Sequence, residues 1–286
     1  MGKFTALSLA GFVSVAAFGP ALAADLLPPP PPVEAPVLAP AMDTSGWYLR
    51  GDVGVGVNQL SGLRSTLQPA GAILPPPTAF AQSSIEEAAI IGAGVGYQIN
   101  NWFRTDITAE YRRQAHYRAA QIYTAGCATT YCADNYNAKL SSGVFLVNGY
   151  VDLGTWGGLT PYVGAGVGLA RHRLAGLTDT GLGYGYAADT IKTNFAWALM
   201  AGAAFDVTRN LKLDFGYRYL NMGPVTSNPI ACNAAPCFYE TQSFKLSSHD
   251  FRLGFRYMLA DAGAGPMLAP SAPIFGGHPG PLVRKY

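Results

Sequence analysis

The chain has 286 residues, a formal net charge of +2 and 13% charged side chains, against about 25% in an ordinary soluble domain. The near-neutral balance points to no polyanionic partner, and no nucleic acid is expected. Past the N-terminus no stretch reaches the ~20 apolar residues of a spanning helix, so membrane helices do not account for the low charge.

Residues 1–23 read as a signal peptide: Lys3, an apolar run, and Ala21-Leu22-Ala23 as the cleavage site. Residues 24–45 hold five consecutive prolines and are expected to form an extended periplasmic linker. Then a two-residue period takes over. "WYLRGDVGVGVN" sets Trp47, Leu49, Val53, Val55 and Val57 against Arg50 and Asp52. "FRTDITAEYR" sets Phe103, Ile107 and Tyr111 against Arg104, Asp106, Glu110 and Arg112. The pattern returns in "NFAWALMAGAAFD", "LKLDFGYRYL" and "HDFRLGFRYML", and in weaker, glycine-rich form over 86–98, 140–153 and 161–172. A helix would space such residues by three and four. Eight strands are therefore predicted, each near the ~9–11 residues that a tilted strand needs to cross a bilayer.

The connections alternate. "INN", "GTWGGLT" and "VTRN" are short, and the other four are long. The predicted fold is all-β: an eight-stranded antiparallel up-and-down transmembrane β-barrel over 46–259. A disordered Pro/Gly-rich periplasmic tail is expected over 260–286. The expected site is the cell outer membrane, with both termini periplasmic and the long loops extracellular. Outer-membrane lipid and lipopolysaccharide are the expected surroundings. A soluble lipocalin-like barrel would show the same alternation inside out. Low charge, aromatic strand ends, loop lengths and export all weigh against it.

Aromatic girdles are expected from Trp47, Trp102, Phe103, Tyr162, Phe205 and Tyr257 near the short turns. A second girdle is expected from Tyr111, Phe195, Trp197, Tyr217, Tyr219 and Phe251. The opposite face supplies the lumen: Arg50, Asp52, Arg104, Asp106, Glu110, Arg112, Asp152, Asp206, Lys212, Asp214, Arg218, Asp250, Arg252 and Arg256, with Glu86 joining them. Signs that nearly cancel in a narrow eight-stranded interior predict an ion-pair plug. The expected partners are Asp214 with Arg252 or Arg256, and Arg218 with Asp250. Inward glycines such as Gly94, Gly96 and Gly164 would admit the long arginines opposite.

The cysteines fall in two local pairs, Cys127 with Cys132 and Cys232 with Cys237, expected as disulfides in an oxidising compartment. Ser247, His249 and Glu240 were weighed as a hydrolase triad, and His116 and His172 as metal ligands. The spacing of the first set is common and makes no triad without geometry, and the second set shows no third ligand. No catalytic residue, no metal and no cofactor are predicted.

"TNFAWALMAGAAFDVTRNLKLDFGYRYL" followed by "HDFRLGFRYML" resembles the last three strands of small outer-membrane β-barrels of Gram-negative bacteria. The nearest group is the OmpA-like and porin-family surface antigens of alphaproteobacteria. "GVGYQINNWFRTDITAEYR" resembles their second hairpin. The resemblance implies insertion by the outer-membrane assembly machinery and a structural or surface-antigen role. Members often end on the final strand; here 27 residues follow it, so an internal signal is expected around Phe255, Tyr257 and Leu259. The tail over 260–286 is too short for the large peptidoglycan-binding domain of full OmpA proteins, so at most a weak contact of Arg284 and Lys285 with the wall is expected of it. A monomer, or an oligomer of unspecified order, fits this architecture. The leading expectation is a structural and surface-exposed interaction protein with a plugged lumen. A narrow porin for small solutes comes second, and an outer-leaflet acyl hydrolase a distant third.

Overall fold

A computed structural model describes residues 45–68, 79–124, 127–233 and 239–259. The signal peptide, the linker, the tail and Cys237 lie outside them. Eleven strands occur in the order β1 (Gly46–Gln68), β2 (Ala79–Ile85), β3 (Ala88–Gln98), β4 (Phe103–Tyr123), β5 (Cys132–Asp152), β6 (Leu159–Thr180), β7 (Tyr184–Ala187), β8 (Thr190–Asp206), β9 (Leu211–Thr226), β10 (Ala231–Cys232) and β11 (Tyr239–Met258). Eight of them form a ring of antiparallel neighbours, β1-β3-β4-β5-β6-β8-β9-β11, which closes where β11 pairs with β1. The short strands decorate one end: β2 pairs with β4, β7 with β6 and β10 with β7. A closed ring leaves no sheet edge for lipid to desolvate.

The strands are longer than the sequence suggested. β1 has 23 residues, β4 and β5 have 21, β6 has 22 and β11 has 20. Such strands, at ~3.3 Å per residue and tilted by ~40°, rise roughly 50 Å, about twice the ~25 Å apolar band of an outer-membrane barrel. Much of what read as long loop is strand. Its alternation is real but its polarity is reversed, and β5 shows why. Near the short turn, Val151, Val147 and Phe145 point out and Asp152, Tyr150 and Asn148 point in. Further along, Lys139, Asn137 and Asn135 point out, while Val144, Leu140, Ala138 and Tyr136 are buried. The first half is solvated by hydrocarbon and the second by water, so the same pleat carries opposite chemistry.

Side chains make the short turns. Asn100 Oδ1 accepts from the backbone N–H of Trp102 and Phe103, and Thr208 Oγ1 accepts from those of Asn210 and Leu211. At the other end, register shifts lie next to Gly62 and Gly176, whose φ values of 61° and 62° allow the extra residue of a bulge.

Trp47, Trp102, Phe205 and Tyr257 form the expected band near the short turns, and Tyr111, Phe195, Phe251 and Tyr217 the other. Tyr162 does not belong. It is 6% exposed and points inward, because the turn places Pro161 rather than Tyr162 on the lipid side of β6.

Candidate functional site: a two-storey lumen

The lower storey is ionic. Gly254 lies opposite Asp52 on β1 and opposite Asp214 on β9. It has no side chain, so both carboxylates fit beside it, and the arginines two positions away on β11 divide them. Arg252 takes Asp52 at 3.0 Å and Arg256 takes Asp214 at 2.6 Å. Of the two expected partners for Asp214, the register selects Arg256. Arg50 bridges Asp52 at 2.7 Å and Asp106 at 2.8 Å, and donates to the Tyr150 hydroxyl. One layer up, Asp250 receives Arg112 at 2.9 Å and Arg218 at 2.6 Å, and Arg218 also reaches Glu110 at 2.7 Å. Arg104 pairs with Asp152 at 3.1 Å, and Lys212 pairs with Asp206 at the rim.

Each of the fourteen lumenal residues read from the sequence therefore sits in an ion pair. Glu86 is a correction: it lies outside the barrel, paired with the exposed Arg118, because β3 begins only at Ala88. The glycines admit more than arginines. Gly96 and Gly164 face Tyr48 and Tyr150 across the strands, and their missing Cβ leaves space for those rings. Tyr48 shares the charged face of β1 in the alternation, and Tyr150 and Tyr162 were the missed members of the network. Tyr48 donates to Asp106, and the Arg104 guanidinium lies 3.9 Å from the Tyr150 ring centroid and 4.6 Å from that of Tyr162. Their even numbering, shared with Arg50, Arg104 and Asp152, was the signal that could have found them.

The upper storey is an apolar core. Tyr117 stacks on Phe244 at 5.1 Å, and Leu140, Leu174, Met222 and Leu246 pack around them. Among the described residues no charge pair enters this layer. His172 fits into it because both ring nitrogens are engaged, Nδ1 with Ser142 Oγ at 2.7 Å and Nε2 with the Met222 carbonyl at 3.0 Å. Near the loops, polar groups return. Glu240 accepts from the Tyr136 hydroxyl at 2.9 Å and from Ser65, and Asp134 and Asp179 lie nearby. Burial pushes the carboxyls of Glu240 and Asp134 up. Asp179 rises to about 7, through burial first and then through its two acidic neighbours.

Glu240 faces the lumen while Ser247 and His249 share the outward face, so the triad geometry fails. His249 Nδ1 instead meets the Tyr217 hydroxyl at 2.6 Å, within the aromatic belt. His116 points outward, not into the lumen, because the bulge between Arg112 and Ala115 flips the parity of β4. Among the described residues no cluster of His, Cys, Asp and Glu could hold a metal ion. Cys127 and Cys132 form the expected disulfide. The pairing of Cys232 with Cys237 falls outside the described residues.

Comparison with known proteins agrees with this architecture. The family described as "Outer membrane protein beta-barrel domain" matches residues 32–258. A Brucella suis protein is 33% identical over 237 residues, covering 71% of this chain and 76% of its own. The outer membrane protein PagN of Salmonella typhimurium is 29% identical, covering 77% and 92%. A candidate adhesin of Rickettsia prowazekii is 26% identical, covering 74% and 86%. Among solved structures, the outer membrane protein OprG of Pseudomonas aeruginosa aligns over 76% of this chain and 98% of its own, at 12% identity and a TM-score of 0.47. With 227 consecutive residues matched and a ring of eight antiparallel strands, this chain belongs to the outer-membrane β-barrel family and resides in the cell outer membrane.

Proposed function

We propose that this protein is a closed barrel that displays an interaction surface outside the cell, and that it neither conducts nor catalyses. The observation that supports the reading is the small void left between the lumenal side chains. A void lined by Arg50, Tyr150, Tyr162, Met200 and Arg218 measures about 10 Å³, room for about one water. Above it lies the apolar core around Phe244 and Leu246, which offers a hydrated ion no polar path. A selective channel would favour a constriction of one sign. In this proposal the termini are periplasmic, the assembly machinery inserts the barrel, and the strand extensions with their loops stand outside. The adhesin description of the Rickettsia relative supports attachment as the form of interaction.

The test is single-channel recording of the refolded protein in a planar bilayer, with folding verified by heat-dependent gel mobility. Silence from folded protein is the expected result. Steady, reproducible openings would overturn the closed lumen and favour the narrow porin.

A further inference from the structure

The net charge of +2 hides an uneven surface. On β4, β5 and β6 the lipid-facing column ends in cations. Tyr111 is followed by Arg113, Phe145 by Ser141 and Lys139, and Leu169 by Arg171 and Arg173, all outward and all but Ser141 exposed. Elsewhere around the barrel, the first outward polar residues above the apolar band are Gln59, Glu87, Thr193, Asn221 and His249. The basic residues converge across strands. Arg173 pairs in register with Ser141, Arg171 with Gly143, and Arg113 occupies the bulge that begins after the Arg112–Ser142 pair. Adjacent strands are ~4.8 Å apart and alternate residues ~6.6–7 Å apart, so the four cations lie within about 10 Å of Ser141. Arg173 has a carboxylate, Asp189 at 2.9 Å. Arg113, Lys139 and Arg171 have no ion-pair partner among the described residues.

We infer that this three-strand patch is a docking site for the phosphate groups of an outer-leaflet lipid of the lipopolysaccharide type. Two features select a lipid over a soluble anion. The cations stand directly above the aromatic band, where headgroups meet the barrel wall. The patch is also continuous with the apolar surface of Ile107, Phe145, Val147 and Leu169, which would accept acyl chains. Guanidinium groups suit the recognition because they donate in a planar fork to phosphate oxygens.

The inference rests on the reading that the extended end faces outward. Lipid binding in micelles is independent of orientation, and proteolysis of intact cells at exposed Arg113 and Lys139 tests orientation separately, so the two can fail independently. The experiment titrates refolded protein in zwitterionic micelles with bis-phosphorylated lipid A, with its dephosphorylated form, and with inorganic phosphate, counting retained lipid by native mass spectrometry. Wild type should retain the phosphorylated lipid. The triple variant Arg113→Gln, Lys139→Gln, Arg171→Gln should bind it roughly tenfold more weakly or worse. Arg64→Gln with Lys245→Gln, on the opposite wall, should change retention little. Unaltered retention by the triple variant, or equal binding of the dephosphorylated lipid, would overturn the site. Displacement of the lipid by micromolar inorganic phosphate would overturn the lipid assignment.

Discussion

The two halves of the lumen are lined by opposite chemistry. The lower half lies within the bilayer, where the outer face must be apolar, so polar groups are left to fill the inside. Those groups are charged, and a buried charge persists only when paired. The upper half stands beyond the hydrocarbon. Its outer face carries Lys139, Asn137 and Asn135, and its interior packs Leu140, Phe244 and Leu246 like a soluble core. The comparison teaches that an outward face is set by its solvent, and the inward face takes the complement. It also predicts different weaknesses. An ionic layer fails when a partner is removed, an apolar layer when volume is removed.

The sharpest test of the ionic half is Asp250→Ala. Asp250 is fully buried and holds both Arg112 and Arg218. Its removal leaves two buried guanidinium groups without it, and should cost about 3–5 kcal/mol. Urea-induced unfolding of the barrel in lipid vesicles reads the loss. A midpoint unchanged from wild type would mean that the ion pairs are replaceable by lumenal water, which would reopen the porin reading.

The apolar half is tested by Leu246→Ala. Leu246 is buried in the upper core, two residues along β11 from Phe244. The expected loss is about 3 kcal/mol, from transfer and cavity terms together. It should be read as faster proteolysis of the strand extensions, with the membrane-embedded half still resistant. If both halves unfold together, the two storeys are one cooperative unit and the comparison drawn above is too strong.

How far the sequence revealed this structure depends on the storey. In the bilayer the alternation is emphatic: Leu211, Leu213, Phe215, Tyr217 and Tyr219 stand on one face and Lys212, Asp214 and Arg218 on the other. Parity groups the ion-pair members, while the choice of the lipid face and of a closed barrel drew also on low charge, aromatic strand ends, loop lengths and export. Which arginine meets which carboxylate depends on register, and Gly254 between Asp52 and Asp214 decides it in three dimensions. Above the bilayer, the signal reverses at the membrane boundary, so "CADNYNAK" read as loop although Tyr136 and Ala138 alternate with Asn135, Asn137 and Lys139. Bulges compound this. The extra residues between Arg112 and Ala115 turn His116 outward, which simple even–odd counting placed in the lumen.

The acidic group at the top of the apolar half adds a pH dependence that the ionic half should lack. Asp179 titrates at about 7, raised above its usual value of 3.8 by burial and by Asp134 and Glu240. A carboxyl raised on folding favours the folded state while protonated. Its contribution is complete below the unfolded pKa and is lost as pH rises through about 7. The strand extensions should therefore become more protease-sensitive from pH 5 to pH 8, by a modest factor because Asp179 is only partly buried. Asp179→Asn should flatten that profile. An unchanged slope in the variant would assign the effect to Glu240 or Asp134.

The smallest effect is expected at the rim of the ionic half. Lys212 and Asp206 meet at 2.6 Å, closer than most pairs deeper in the lumen, yet their side chains are 25% and 36% exposed. Distance alone would rank this pair with Asp250 and Arg218. Solvent decides otherwise, since water screens the attraction and either partner left alone stays hydrated. Lys212→Gln should cost between about 0 and 1 kcal/mol in the same urea titration. A loss near that of Asp250→Ala would mean that the rim at the short turns is drier than its exposure indicates, and that the ionic storey extends as one desolvated network to the mouth of the barrel.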